Sequence, residues 1–223
     1  MNALTLVMGA MLLFPAVDLS STAPDDAAGI RQQLPSYPLE NCPITGEKLD
    51  ESAKSVLVEG TLVRVCCGKC VKAVKASPAD AVAKVKAAVI ADQLRNYPLK
   101  TCIVSGEPLG DTPQNVVVGT RLIRTCCKNC VKPAAKNAAK YLVKIDEALI
   151  AAQIADYPTK VCPVSGEPLG SMGDPIDRLY GTKLVRLCCK GCVKTYEKDS
   201  AKFAGMVYGK KGATSKPTSR KTK

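Results

Sequence analysis

The chain has 223 residues with twelve cysteines, no histidine, no tryptophan and two phenylalanines, and its formal net charge is +12. Without histidine there is no usual general base near neutral pH, which excludes Cys/His and Ser/His nucleophile pairs and metal sites built on histidine. Aliphatic residues and alanine supply most of the apolar content, so each small unit has few large side chains to bury and is expected to need covalent or metal cross-links.

The N-terminal segment has the character of an export signal. Residues 3–17, ALTLVMGAMLLFPAV, are uncharged and mostly apolar, which is short for a membrane span and typical of the apolar region of a signal peptide. We expect residues 1–23 to be a signal peptide or an N-terminal anchor, and the protein to be exported to the periplasm or cell envelope. A buried N-terminal helix is the alternative. Residues 24–36 are expected to be a short linker.

Three repeats follow this linker. The strings YPLENCPITGEKL, YPLKTCIVSGEPL and YPTKVCPVSGEPL begin at residues 37, 97 and 157, and each precedes a β-rich stretch, a CCxxCVK string and a segment rich in alanine and lysine. A fixed period of this kind marks a repeat architecture. The predicted units are residues 37–96, 97–156 and 157–209. The third unit has an insertion around SMGDPIDR, which predicts a longer loop.

Each repeat has the signals of a hairpin followed by a helix. In the first, SVLVEGTLVRV (55–65) alternates β-branched residues around a Gly-Thr turn, which predicts two antiparallel strands. The pair Ser77-Pro78 predicts a helix start. Apolar residues then recur at helical spacing in the first two repeats, at Val82, Val85 and Val89 and at Leu142, Ile145 and Leu149. The predicted fold class is α+β, with three tandem small cysteine-rich repeats, each a cysteine loop, a β-hairpin and an α-helix.

The repeats account for every cysteine in the chain. If the strand ends at the CC pair and a helix begins, Cys67 and Cys70 share a face at i, i+3, Cys66 joins Cys70 at i, i+4, and the hairpin folds the loop carrying Cys42 back toward them. Four sulfurs can then surround one ion, and a helix N-terminus with nearby basic side chains favours the thiolate form. The predicted metal ligands are Cys42, Cys66, Cys67 and Cys70, Cys102, Cys126, Cys127 and Cys130, and Cys162, Cys188, Cys189 and Cys192.

The motif order, as in CPVSGEPL…GTKLVRLCCKGCVKTYEKDSAKF of the third repeat, resembles the YHS and TRASH-type metal-binding domains, which are small treble-clef-like modules. The resemblance covers all three repeats and implies binding, trafficking or sensing of transition metals. It implies as ligands the first, second and fourth cysteines of each repeat: Cys42, Cys66 and Cys70, Cys102, Cys126 and Cys130, and Cys162, Cys188 and Cys192. YHS modules often have a second cysteine in the first loop, where this chain has Thr45, Ser105 and Ser165. The extra cysteines, Cys67, Cys127 and Cys189, either replace that missing ligand or are free.

Two other interpretations of the cysteines stay open. Exported chains oxidise their thiols, so two disulfides per repeat would make the protein a stapled scaffold for protein interaction. A thiol oxidoreductase using Cys67 and Cys70 is the other, although no thioredoxin-like βαβ pattern surrounds this pair. The glutamates that follow each loop glycine are interpreted as surface residues, because no second functional group accompanies Glu47, Glu107 or Glu167.

The sequence therefore favours a non-catalytic metal-binding protein of the cell envelope. Thiolate ligands without histidine or clustered carboxylates select zinc or Cu(I) over magnesium, calcium or manganese. Zn²⁺ in a closed four-thiolate site is the first prediction, and Cu⁺ in a three-thiolate site is the alternative. Residues 210–223 carry six basic residues and no acid and are expected to be a disordered tail. No nucleic-acid partner is expected, and membrane contact is expected only through the N-terminal segment or this tail.

Overall fold

The structure, a computed structural model, describes residues 24–209 and confirms the α+β class. Each repeat contains a two-stranded antiparallel sheet followed by two helices. The elements are α1 (Pro24–Gln33), β1 (Lys54–Val58), β2 (Thr61–Val65), α2 (Gly68–Ala76), α3 (Pro78–Gln93), β3 (Gln114–Val118), β4 (Arg121–Thr125), α4 (Lys128–Lys136), α5 (Ala138–Gln153), β5 (Ile176–Tyr180), β6 (Lys183–Leu187), α6 (Lys190–Lys198) and α7 (Ser200–Tyr208).

The predicted signal peptide, residues 1–23, and the predicted tail, residues 210–223, lie outside the described part of the chain. Between residues 24 and 209, none of the helices combines the length and the apolar character that a membrane crossing requires. The predicted linker, residues 24–36, is helical: α1 is followed by one turn of 3₁₀ helix at Leu34–Ser36. Because α1 packs against β1 and β2, this segment is part of the first folded unit.

The predicted hairpins are present in all three repeats. Val56 lies opposite Val63, and both side chains are buried. The predicted Gly-Thr turn is wrong by one residue in the first repeat, since Glu59 and Gly60 form the turn and Thr61 already belongs to β2. Both turn residues have positive φ, 50° and 72°, as in the primed turns whose twist matches that of antiparallel strands.

The insertion in the third repeat is only partly a loop. The strand β5 begins at Ile176, so the residues SMGDP precede the strand and IDR belongs to it. A short bridge between Ser171 and Gly173 shapes the inserted loop. The third hairpin therefore keeps the strand lengths of the other two despite the two extra residues in its sequence.

The predicted helix start at Ser77 and Pro78 is confirmed, with Ser77 separating α2 from α3. Val82, Val85 and Val89 are buried along one side of α3. In α5 the two equivalents Ile145 and Leu149 are buried, whereas Leu142 is half-buried against the same core. The helical spacing read from the sequence therefore identifies the core-facing side of both helices.

A glutamine at the end of one helix binds the next hairpin. Gln93, the last residue of α3, is buried; its Oε1 accepts from the Leu122 backbone N–H at 2.9 Å and its Nε2 donates to the Thr120 carbonyl at 2.8 Å. The same pair of bonds joins Gln33 to Leu62 and Gly60, and Gln153 to Leu184 and Thr182. These amides pair backbone groups on the outer edge of each second strand, which an isolated hairpin would leave open.

The core is continuous from one repeat to the next. Leu122 of β4 belongs to the buried cluster that contains Val85 and Val89 of α3, and Leu179 of β5 packs against the cluster of the second repeat. Each long helix therefore lies between its own hairpin and the following one. This packing fixes where each hairpin ends, and thus where the CC pair of each repeat is placed.

Candidate metal centre

The first cysteine of each repeat sits in a tight loop closed by backbone hydrogen bonds. The Cys42 N–H donates to the Glu47 carbonyl at 2.7 Å, and the Gly46 N–H donates to the Cys42 carbonyl at 2.8 Å. Gly46 has a φ of 78°, which favours glycine at this position. The loops of Cys102 and Cys162 are closed by the same two bonds. The side chain of the first cysteine is thereby turned inward and buried in all three repeats.

The CC pair lies at the junction between a strand and a helix, as predicted. The strand β2 ends at Val65 and α2 begins at Gly68, with Cys67 as the N-cap residue at φ −152° and ψ 170°. Cys70 is the third residue of α2 and is buried. The change from strand to helix is what allows Cys66 and Cys67, which would point to opposite faces of a continuing strand, both to approach Cys70.

In each repeat, three sulfurs converge. The Sγ atoms of the first, second and fourth cysteines all lie within 4.8 Å of one another. The second and fourth are separated by 3.7, 3.9 and 3.6 Å in the three repeats. A metal–sulfur distance of about 2.3 Å in a tetrahedral site places neighbouring sulfurs about 3.8 Å apart. These groups, hereafter the triads, are Cys42, Cys66 and Cys70; Cys102, Cys126 and Cys130; and Cys162, Cys188 and Cys192.

The third cysteine of each repeat stands outside its triad. Cys67, Cys127 and Cys189 approach the fourth cysteine at Sγ–Sγ distances of 3.7, 3.8 and 3.6 Å but do not belong to the mutually close groups. Cys127 is exposed and the other two are half-buried. The structure thus brings together the nine cysteines that the family resemblance implied, and the individual ligand roles of all twelve stay predictions.

A hydroxyl group occupies the place where YHS modules often have a second loop cysteine. The Oγ1 of Thr45 lies 3.5 Å from the Cys66 Sγ, and the Oγ of Ser105 and of Ser165 lie 3.5 and 3.3 Å from their equivalent sulfurs. The loop therefore approaches the triad as the resemblance implies, with a weaker donor for a soft metal. The side chains of the loop glutamates Glu47, Glu107 and Glu167 are exposed, as predicted.

The first cysteine of each repeat is predisposed to ionise. Burial is the largest single influence on Cys42 and opposes ionisation, but the backbone N–H groups of Thr45, Cys66 and Ile44 and the Thr45 hydroxyl outweigh it and lower the pKa of Cys42 to about 6. In Cys102 and Cys162, burial is likewise outweighed by the loop serine and nearby backbone N–H groups, and each pKa is lowered to about 6. Because the thiolate is the metal-binding form, the loop prepares one ligand in each triad.

The sulfurs at the helix start are shifted in opposite directions. Burial and the neighbouring Cys67 thiol raise the pKa of Cys70, and burial and the equivalent neighbours raise the pKa of Cys130 and Cys192 to about 12. By contrast, the backbone N–H of Cys70 and the thiols of Cys70 and Cys66 lower the pKa of Cys67, although no cap hydrogen bond forms. Closely spaced thiolates repel one another, so ionisation of a whole cluster requires a cation among them.

All twelve cysteines, which fall within the described residues, are free thiols in the structure. The closest sulfur pairs, at 3.6–3.9 Å, are far from the length of about 2.05 Å of a disulfide bond. The arrangement can therefore supply three or four soft ligands per repeat. The three sulfurs of a triad are already close enough together for a low-coordinate site without the movement of another side chain.

The sequence reasoning missed the residues that hold the hairpins in place. Besides the glutamine described above, a tyrosine binds each second strand: the Tyr97 Oη accepts from the Arg124 N–H at 3.1 Å, two residues before Cys126. Tyr37 and Tyr157 do the same for Arg64 and Arg186. The signal was present in the sequence as QxxxYP, which occurs before each repeat at Gln33, Gln93 and Gln153.

No protein-family model matches this chain, and neither a curated protein nor a solved structure matches it. The resemblance to YHS and TRASH-type domains therefore rests on the motifs alone. Independently of it, the structure shows a metal-binding type of cysteine cluster beside a hairpin and a helix, three times in one chain.

Proposed function

We propose that the protein binds three soft transition-metal ions, one in each triad, and acts without catalysis in metal buffering or trafficking. The observation that carries the proposal is the convergence of three sulfurs within 4.8 Å at the same place in all three repeats. The loop that supplies the first sulfur is far in sequence from the strand end and helix start that supply the other two, and the fold brings them together each time. Cysteines that only filled a hydrophobic core would not need to place three sulfurs within 4.8 Å of one another in every repeat.

The donor set favours Cu(I) as the ion. Thiolates suit both Cu(I) and zinc, whereas structural zinc sites almost always have four ligands in a tetrahedron. Three mutually close sulfurs, with the third cysteine of each repeat outside the group, fit a low-coordinate soft ion. Zinc is the alternative, and it would require Cys67 and its counterparts to move into the triads.

The proposed role as an exported carrier or buffer rests on the sequence. The apolar segment in residues 3–17 supports export, and the resemblance to YHS and TRASH-type domains supports trafficking or sensing of metals. The absence of histidine from the whole chain supports a non-catalytic role, because most familiar acid–base mechanisms near neutral pH use it.

Metal analysis of the full-length protein tests the proposal. Protein prepared without reductant and then loaded with Cu(I) is expected to hold three ions, and Cys70→Ser should reduce this number to two because it removes one sulfur of one triad. The triple variant C70S/C130S/C192S should hold none. The single, double and triple variants form a matched series in which each further substitution should remove one bound ion. Absence of bound metal, together with twelve thiols blocked to alkylation, would contradict metal binding and support the disulfide scaffold.

A further inference from the structure

The third cysteine of each repeat has a placement that the triads do not explain. Its sulfur lies 3.6–3.8 Å from the fourth cysteine, about as close as the second cysteine lies to that same sulfur. Cys70 and its counterparts Cys130 and Cys192 are therefore shared neighbours. Each one has a triad member on one side and an extra cysteine on the other.

This extra cysteine is more exposed than the fourth cysteine that it neighbours. Cys67 is half-buried and Cys127 is exposed, whereas the shared cysteines Cys70 and Cys130 are buried. Cys67 and its counterparts are N-cap residues in an extended conformation, and their side chains make no cap hydrogen bond. Instead the Cys67, Cys127 and Cys189 thiols donate to the sulfur of the fourth cysteine at 3.7, 3.8 and 3.6 Å, which holds them beside the triad.

Exposed lysines flank the third and fourth cysteines of each repeat in the sequence. Each repeat has one lysine between the third and fourth cysteines and another two residues after the fourth, and all six are exposed: Lys69 and Lys72, Lys128 and Lys132, and Lys190 and Lys194. A positive rim of this kind attracts anions over a distance set by the ionic strength. Complexes of Cu(I) with small thiolates are anionic when the thiol carries carboxylates, so they match the charge of the rim.

We propose that Cys67, Cys127 and Cys189 are exchange ligands, through which a soft metal ion passes between an anionic thiolate carrier and the buried triad. The inference rests on the proposed function, since it requires that the triads bind metal. In this arrangement the triad stores the ion and the outer cysteine receives and releases it.

The exchange proceeds by successive replacement of one sulfur by another. The Cys67 thiolate forms a bond to Cu(I) in the incoming complex and one carrier thiolate leaves. Cys70, which neighbours both Cys67 and the triad, then displaces the second carrier thiolate. Bonds from Cys66 and Cys42 form last, and the bond to Cys67 breaks. The first two steps each make one metal–sulfur bond and break one; the last makes two and breaks one, so the ion goes from two sulfur ligands to three. The ion stays Cu(I), and protons lost by ligand thiols pass to the released thiolates or to solvent.

Alkylation of the copper-loaded, full-length protein gives the first test. With three Cu(I) ions bound, iodoacetamide is expected to modify Cys67, Cys127 and Cys189 and no other cysteine, while the copper content stays at three. Peptide mass mapping identifies the modified residues. Protection of all twelve thiols would overturn the inference, because it would show that the extra cysteines are permanent ligands of closed four-thiolate sites. This measurement uses the native chain and does not depend on the folding of any variant.

Transfer kinetics of the triple variant C67S/C127S/C189S give the second test. Serine is a good N-cap residue, so the helices should be retained. Equilibrium competition with bicinchoninate is expected to show three bound Cu(I) ions with affinity changed less than about threefold. Stopped-flow uptake of Cu(I) from its glutathione complex should slow at least about tenfold. The matched variant K69Q/K128Q/K190Q keeps all twelve sulfurs and should lose mainly the salt dependence of uptake.

An unchanged uptake rate in the serine variant would overturn the inference. A large loss of affinity for Cu(I) would overturn it too, because it would show that the substituted cysteines are permanent ligands. Failure of the proposed function is distinguishable from both results. It would be seen in the unsubstituted protein, as an absence of bound copper under reducing conditions before any variant is compared.

Discussion

The backbone gives the cysteines of one repeat different properties. Cys42 is buried in a loop whose N–H groups surround its sulfur, Cys70 is buried in the first turn of α2, and Cys67 caps that helix from outside. Their pKa values consequently diverge, with those of Cys42 and Cys67 lowered and that of Cys70 raised. The same residue type therefore supplies, within one cluster, a buried thiol that ionises readily, a buried thiol that resists ionisation, and a more exposed thiol whose pKa is also lowered.

The loop cysteines predict a pH-dependent stability for the reduced, metal-free protein. The pKa of Cys42, Cys102 and Cys162 is about 6 in the folded protein against an ordinary value of 9, so between these limits the unfolded chain binds more protons. The free energy of unfolding should rise from pH 6 to pH 9, and this contribution is lost as the pH falls through 6. Cys130 and Cys192, with raised pKa values, act in the opposite sense only above pH 9.

Urea unfolding at a series of pH values measures this effect. The triple variant C42S/C102S/C162S is expected to be less stable at every pH and to show a smaller rise between pH 6 and 9. Part of the rise should remain, because the pKa of Cys67 and its counterparts is also lowered. If the free energy of unfolding of this variant rose between pH 6 and 9 by as much as that of the unsubstituted protein, the loop thiolates would not be the source of the rise.

Among the elements, the contact that matters most for the site joins a helix end to the following hairpin. Gln93 closes α3 and pairs with the N–H of Leu122 and the carbonyl of Thr120, so the helix of one repeat holds the second strand of the next. That strand leads directly into Cys126. The structural unit therefore begins upstream of the YP motif that marks each repeat in the sequence. In the first repeat, α1 holds the second strand in the same way, through Gln33.

Substitution of Gln93 by alanine is expected to lower the free energy of unfolding by about 2–3 kcal/mol, because two hydrogen bonds are lost and a buried N–H and carbonyl are left unpaired. Gln32→Ala is the matched control, since Gln32 is also helical but exposed, and it should change stability by less than about 0.5 kcal/mol. Denaturant unfolding of both variants gives the comparison. Equal effects of the two substitutions would contradict a bridging role for Gln93.

In the whole molecule, the hairpin turns of the second and third repeats contact residues 33–36, which join α1 to the first repeat. The Thr120 hydroxyl donates to the Gln33 carbonyl at 2.8 Å. A Cβ at Gly119 would lie 2.7 Å from the Gln33 side chain, and one at Gly181 would collide with the Pro35 carbonyl. The first and third repeats, which are not consecutive, are thus in direct contact through this segment. The repeats form one packed body across the described residues.

The contact between the third hairpin and Pro35 can be tested with a pair of glycines that share one backbone conformation. Gly181 and Gly110 both have a φ of 64°, but a Cβ at Gly110 would meet open space. Both alanine variants carry the strain of a positive φ, and only Gly181→Ala adds the collision. We expect Gly181→Ala to be less stable than Gly110→Ala by about 1–3 kcal/mol in thermal unfolding. Equal destabilisation of the two variants would mean that the third hairpin does not pack against Pro35.

Removal of the metal is expected to loosen the whole molecule. Cys42 and Cys70 belong to the same buried cluster as Val85 and Val89 of α3, so an ion bound by the triad would share one core with the helix. Binding to the folded form alone adds its free energy to folding. Chelation under reducing conditions should lower the thermal midpoint and the helical signal in far-UV circular dichroism, and reloading should restore both. An unchanged signal in protein shown to be free of metal would contradict a structural role for the ion.

The local features of this protein could be predicted from its residue patterns. The repeat period, the hairpin and helix of each unit and the buried valines of α3 follow from residue patterns that act over a few positions, namely alternation in strands, spacing in helices and the Ser77-Pro78 cap. The grouping of Cys42 with Cys66 and Cys70 was also accessible, through the motif resemblance. Proximity along the chain, or a hairpin that folds it back, is sufficient for these features.

The joining of the repeats and the exact boundary between strand and helix at the CC pair could be seen only in the folded molecule. Spacing alone placed Cys66 and Cys67 equally near Cys70; the end of the strand at Val65 and the start of the helix at Gly68 separate their directions, and the sequence does not fix that boundary to one residue. The helical character of residues 24–33 and the role of Gln33 depend on partners in β1 and β2 far along the chain. Such contacts are stabilised by groups that become neighbours only after folding, so the QxxxYP pattern marks the residues that make them but does not identify their partners.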